Sequence, residues 1–103
     1  MENNQYTGTM ISPQEAKIMI EAFQSINPSS TQSVFLGREK ILQLLNQEDC
    51  MGIRTYFAVN EQKQMTIVLV GVNSSGHDFK NGLFLDKGGN CPPTCNFSSF
   101  LED

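Results

Sequence analysis

The chain has 103 residues, of which 7 are Lys or Arg and 11 are Asp or Glu, giving a net charge of -4. A phosphate-binding surface needs several cations on one face, so this composition argues against nucleic acid as a partner. The longest strongly apolar run, residues 66–72, is far shorter than the roughly 20 residues of a membrane-spanning helix. The sequence therefore predicts one small globular protein in the cytoplasm, with no membrane partner.

Residues 1–11 are polar and lack apolar periodicity, so we expect a flexible N-terminal arm, followed by a single domain over residues 12–103. Ser12, with Pro13 next and Glu15 three residues on, predicts a capping box at the start of a helix. Apolar residues then recur at helical spacing until Pro28. The same spacing predicts a second helix over residues 38–46.

The hydrophobic period changes to two at residue 52, which predicts a strand over residues 52–59. Residues 65–72 are rich in β-branched side chains and predict a second strand, antiparallel to the first. A turn at residues 73–76 and a short third strand at residues 83–85 follow. This order predicts an α+β fold, in which two N-terminal helices precede a small antiparallel sheet and an irregular C-terminal tail.

The residues best suited to a metal are three thiols and one imidazole: Cys50, His77, Cys91 and Cys95. That set has the ligand count of a structural zinc site, but two prolines separate Cys91 from Cys95, and Cys50 stands alone. We therefore expect no cofactor, with zinc as the alternative. An odd number of cysteines without an export signal favours reduced thiols, of which Cys50 is expected to be the least accessible.

Arg54 lies in a predicted strand among apolar neighbours, where a guanidinium needs a partner. The first interpretation is a structural ion pair, and the alternative is bidentate recognition of an anionic ligand. The candidate carboxylates for the ion pair are Glu48, Asp49 and Asp78.

His77 has Asp78 beside it and two serines nearby, Ser74 and Ser75. These residue types are those of a hydrolytic active site. Adjacent side chains in an extended segment point apart, so a base and the acid that orients it are seldom consecutive. We expect His77 to be a solvated turn residue and the protein not to be an enzyme.

The second predicted strand is apolar on both faces, with Met65, Ile67 and Leu69 on one and Val68, Val70 and Val72 on the other. Two helices with one apolar stripe each cover only one face. The other face is covered by a second copy of the chain, which we favour, or by the C-terminal segment around Phe84, Phe97 and Phe100. The residues expected at the resulting interface are Tyr56, Val68, Val70 and Val72.

Four segments carry a resemblance to a known group: residues 52–57, 67–73, 76–78 and the Cys-Pro-Pro-x-Cys motif at 91–95. Over roughly residues 12–95 the chain resembles a loose group of small bacterial proteins of Bacteroidota type. In that group the position of His77 is often Asn, so the resemblance favours Cys50, Cys91 and Cys95 over His77. It implies no reaction, substrate or partner.

The sequence therefore favours a small non-enzymatic binding or adaptor protein that presents its sheet or its tail to an unknown protein partner. The alternative is a zinc-binding or thiol-active protein that uses Cys50, Cys91 and Cys95.

Overall fold

The computed structural model describes residues 2–93 and 95, and it confirms the α+β class, with helices and antiparallel sheets. The elements in chain order are α1 (Pro13–Ile26), β1 (Ser33–Phe35), α2 (Arg38–Leu45), β2 (Cys50–Val59), β3 (Met65–Asn73), β4 (Phe84–Leu85) and β5 (Gly89–Cys91). The predicted order of two helices and then strands was incomplete, because β1 lies between the helices.

The β2–β3 hairpin is the centre of the fold, and it was predicted from the period of two. Thr55 lies opposite Leu69, and Val59 lies opposite Met65. Asn60 closes the loop, because its backbone N–H donates to the carbonyl of Gln64 at 2.9 Å. β4 pairs with the other side of β3, so the strand order is β2-β3-β4 and β2 forms one edge of this sheet.

Helix α2 covers one face of the three-stranded sheet and contacts all three of its strands. Leu44 of α2 is only 1% exposed. Gly71 of β3 faces the end of this helix, because a Cβ at Gly71 would lie 2.7 Å from Nε2 of Gln47. The Gln47 side chain also accepts a hydrogen bond from the backbone N–H of Leu83 at 3.0 Å, which ties the helix end to the approach to β4.

A second sheet, of two strands, was not predicted: β1 pairs antiparallel with β5, with Val34 opposite Asn90. The segment after Asp86 was expected to be an irregular tail. In the structure a Cβ at Gly88 would collide with the backbone oxygen of Phe35, so glycine is needed for the close approach of the two segments. Thr66 of β3 links the sheets, because its hydroxyl donates to the Asn90 side chain at 3.2 Å.

The capping box that begins α1 is confirmed. The backbone N–H of Glu15 donates to the Ser12 hydroxyl at 3.1 Å, and the Ser12 N–H donates to the Glu15 carboxylate at 3.4 Å. The expectation that α1 covers the sheet was wrong. No residue of α1 is buried, and of its apolar stripe Met19 is 65% exposed and Ile26 is 77% exposed.

Candidate functional site

Arg54, Tyr56 and Asp78 form a hydrogen-bonded cluster on the sheet face opposite α2. Nη1 of Arg54 donates to Oδ1 of Asp78 at 2.5 Å, and the Tyr56 hydroxyl donates to Oδ2 of the same carboxylate. Nη2 of Arg54 also donates to the carbonyl of Gly76 at 3.4 Å. Both oxygens of Asp78 are therefore occupied by donors from β2.

The cluster bridges the sheet across β3. Arg54 lies opposite Val70 on one side of this strand, and Asp78 forms a bridge with Val72 on its other side. The ion pair therefore spans the face on which these two valines lie. Val70 is 0% exposed, and Val72 is also buried.

The hydrogen bonds of the cluster shift the pKa values of its members. The hydrogen bond from Tyr56 and the contact with Arg54 lower the pKa of Asp78 below its ordinary value. The hydrogen bond to Asp78 raises the pKa of the Tyr56 hydroxyl and that of Arg54. The arrangement therefore favours an ionised carboxylate between two protonated donors.

This cluster does not match the anion-binding or hydrolytic interpretations. The two terminal nitrogens of Arg54 that an external anion would bind already donate within the chain, Nη1 to Oδ1 of Asp78 and Nη2 to the carbonyl of Gly76. The two oxygens of Asp78 are directed to Arg54 and Tyr56, and the hydroxyl of Ser74 donates to Asp49 at 3.1 Å. The structure therefore gives the cluster the geometry of a structural brace.

The structure does not assemble the four predicted zinc ligands. Cys91 and Cys95 form a disulfide, with their Cα atoms 4.7 Å apart. Cys50 lies opposite Asn73 at one end of β3, where the carbonyl of His77 also accepts from the Asn73 N–H. The disulfide follows Asn90, which contacts Thr66 at the other end of β3, roughly 23 Å away at ~3.3 Å per residue. Among residues 2–93 and 95, the structure holds no group of three or more His, Cys, Asp or Glu side chains arranged for a metal ion.

The expectations about the thiols need two corrections. Reduced thiols were the starting assumption, but the loop from Cys91 to Cys95 brings the two Cα atoms within the usual range for a disulfide. Cys50 was expected to be the least accessible thiol, but Cys91 is 2% exposed and Cys50 is only half-buried. Cys91 is the more buried because it lies on β5, which pairs with β1.

The predicted interface is mostly internal. Val70 and Val72 are buried within one chain, and Val68 is half-buried. They were assigned to an interface because the sequence did not show that the Arg54–Asp78 ion pair would lie across this face. Of the four predicted residues, only Tyr56 is exposed. Phe97 and Phe100, the alternative cover, lie outside the described residues.

Exposed apolar side chains occur instead in several segments, among them the second half of β2, which is an edge strand. Phe57 is 80% exposed and Val59 is 66% exposed. The period of two predicts the strand over residues 52–59, but it does not show that β2 is an edge strand. The available signal was the absence of charge and proline from residues 55–59, since edge strands that remain unpaired usually carry such residues.

Comparisons of the chain with protein-family profiles, curated proteins and solved structures found no match. Across the part of the chain that the structure describes, no helix has the length and apolar character needed to cross a membrane.

Proposed function

We propose that this protein is a small non-enzymatic protein-binding domain that engages its partner through the outer edge of β2. The observation that carries the proposal is the edge itself: residues 55–59 form five consecutive uncharged strand positions that include the highly exposed Phe57. A strand edge of this kind offers backbone N–H and C=O groups to a partner strand, and its side chains add selectivity.

Photo-crosslinking in the native cells tests the proposal. p-Benzoylphenylalanine replaces Phe57 in one variant and Phe35 in a matched control, since Phe35 is an exposed aromatic residue on β1, in the other sheet. We expect the probe at position 57 to form a polypeptide adduct in much higher yield than the probe at position 35. No polypeptide adduct from position 57, or equal yields from both positions, would contradict the proposal.

A further inference from the structure

We propose that the partner on the β2 edge is a second copy of this chain, paired antiparallel along residues 55–59 with Phe57 on the two-fold axis. This inference rests on the proposed function, because it names the occupant of the same edge. The two three-stranded sheets would then join into one sheet of six strands.

The direction of the backbone groups on β2 follows from its pairing with β3. The hydrogen bond from Asn60 N–H to Gln64 marks a hydrogen-bonded pair at the hairpin end. Because such pairs alternate along an antiparallel ladder, the backbone groups of Thr55, Phe57 and Val59 point away from β3. These residues provide three outward N–H groups and three outward C=O groups within five positions.

The first half of β2 is less available than the second. A register shift between Cys50 and Gly52 interrupts the ladder there. Residues of the N-terminal arm, among them Asn4 and Gln5, line shared cavities with Met51 and Gly52, and one of these cavities extends to Thr55. A bulge and a covering segment are two ways in which proteins protect strand edges. In the described structure residues 56–59 lie beyond both features, and Phe57, at 80% exposure the most exposed of them, is the outward-directed residue on which we centre the register.

A second copy fits this edge because the edge is complementary to itself. With Phe57 opposite Phe57, Thr55 of each copy lies opposite Val59 of the other, and Tyr56 lies opposite Ala58. No like charges meet in this register, since Arg54, the one charged residue of β2, lies outside the paired stretch and is neutralised by Asp78. An isologous interface requires this kind of self-matching patch. The two Phe57 side chains would pack against each other and become less exposed to solvent.

Light scattering and cysteine trapping test the inference on the full chain in a Cys50→Ser background. We expect the mass to rise towards twice 11.5 kDa with concentration.

Phe57→Cys should trap an intermolecular disulfide, because position 57 faces its own equivalent. Thr55→Cys is the matched control and should trap much less, because its neighbour across the axis is Val59. Phe57→Asp should weaken self-association by more than about tenfold, because it places two carboxylates together on the axis.

Three results would overturn the inference: a monomer up to millimolar concentration, equal trapping by Phe57→Cys and Thr55→Cys, or unchanged association of Phe57→Asp. The adduct from the photo-crosslinking experiment separates the two proposals. An adduct with another polypeptide, together with a monomer in solution, would refute the second copy and keep the binding function. The absence of any polypeptide adduct at position 57 would refute the binding function itself.

Discussion

Asp78 shows how a single carboxylate organises one face of this sheet. It accepts hydrogen bonds from two side chains of β2, while its own backbone lies beside β3 on the opposite side. Because hydrogen bonds from Tyr56 and Arg54 stabilise the ionised carboxylate of Asp78, its pKa is lower in the folded protein than in the unfolded chain. Such a group stabilises the fold above its unfolded pKa of 3.8, and this stabilisation is lost as the pH falls through the lowered native pKa.

We therefore expect Asp78→Asn to lower the melting temperature at neutral pH and to weaken its dependence on pH below about 4. The matched control is Asp86→Asn, which changes an exposed carboxylate next to β4. Thermal unfolding followed by circular dichroism between pH 2.5 and pH 7 measures both variants. If Asp78→Asn keeps the pH profile of the wild type, the carboxylate does not hold the face together.

The thiols allow a second test at the level of single residues. The structure has one free cysteine, Cys50, among its described residues, because Cys91 and Cys95 form a disulfide. We expect denatured protein to give one reactive thiol per chain before reduction and three after it. Cys50→Ser should give none before reduction. Three reactive thiols in unreduced protein would instead support the reduced state that the cysteine count suggests.

At the scale of elements, two glycines on neighbouring strands make a matched pair. A Cβ at Gly71 would meet Gln47 at 2.7 Å and the Phe79 ring at 2.9 Å, whereas a Cβ at Gly52 would meet nothing within 4 Å. We expect Gly71→Ala to destabilise the protein by about 2 kcal/mol, because it separates α2 from the sheet. Gly52→Ala should change stability by less than about 0.5 kcal/mol. Chemical denaturation measures both, and equal effects would contradict this packing.

Helix α1 is expected to unfold independently of the sheet, because none of its residues is buried and its capping box is the main interaction that holds its first turn. Ser12→Ala removes the capping hydrogen bond and should destabilise this helix by about 1 kcal/mol. Amide exchange should therefore quicken within α1, while the amides of β3 keep their protection. Ser29→Ala, outside the helix, serves as the control. Faster exchange in β3 would mean that α1 is coupled to the sheet.

The elements also show which features the sequence can reveal. The helices and the β2–β3 hairpin are long enough for their hydrophobic periods to be read, and each begins and ends within about two residues of the prediction. β1 and β5 have three residues each, too few for a period, and their partners are more than 50 residues apart along the chain.

The sequence offered three carboxylates as partners for Arg54. Only the turn at Asn73 decides between them, because it brings Asp78 back beside β3.

At the scale of the whole molecule, each sheet face and the sheet edge have different roles. α2 covers one face, and the Arg54–Asp78 ion pair spans the other. From the sequence we expected both helices to cover one face, and a second copy or the C-terminal segment to cover the valine face. In the structure α1 has no buried residue, and Val70 and Val72 are buried within one chain. The period of a single strand shows which side chains share a face, but not which element covers that face. Exposed apolar side chains lie on β2 and α1, and also on β1 and β4.

Val70 and Phe57 separate the requirements of folding from those of association. Val70 has no exposed surface, so Val70→Asp buries a carboxylate that competes with Asp78 for Arg54, its neighbour across the strands, and should cost about 3 kcal/mol of stability. Phe57 is 80% exposed in one chain, so Phe57→Asp should change the stability of the dilute monomer by no more than about 0.5 kcal/mol. Denaturation at low protein concentration tests both values. If instead Val70→Asp folds normally and Phe57→Asp unfolds the monomer, Val70 is not buried and Phe57 is not exposed in the folded chain.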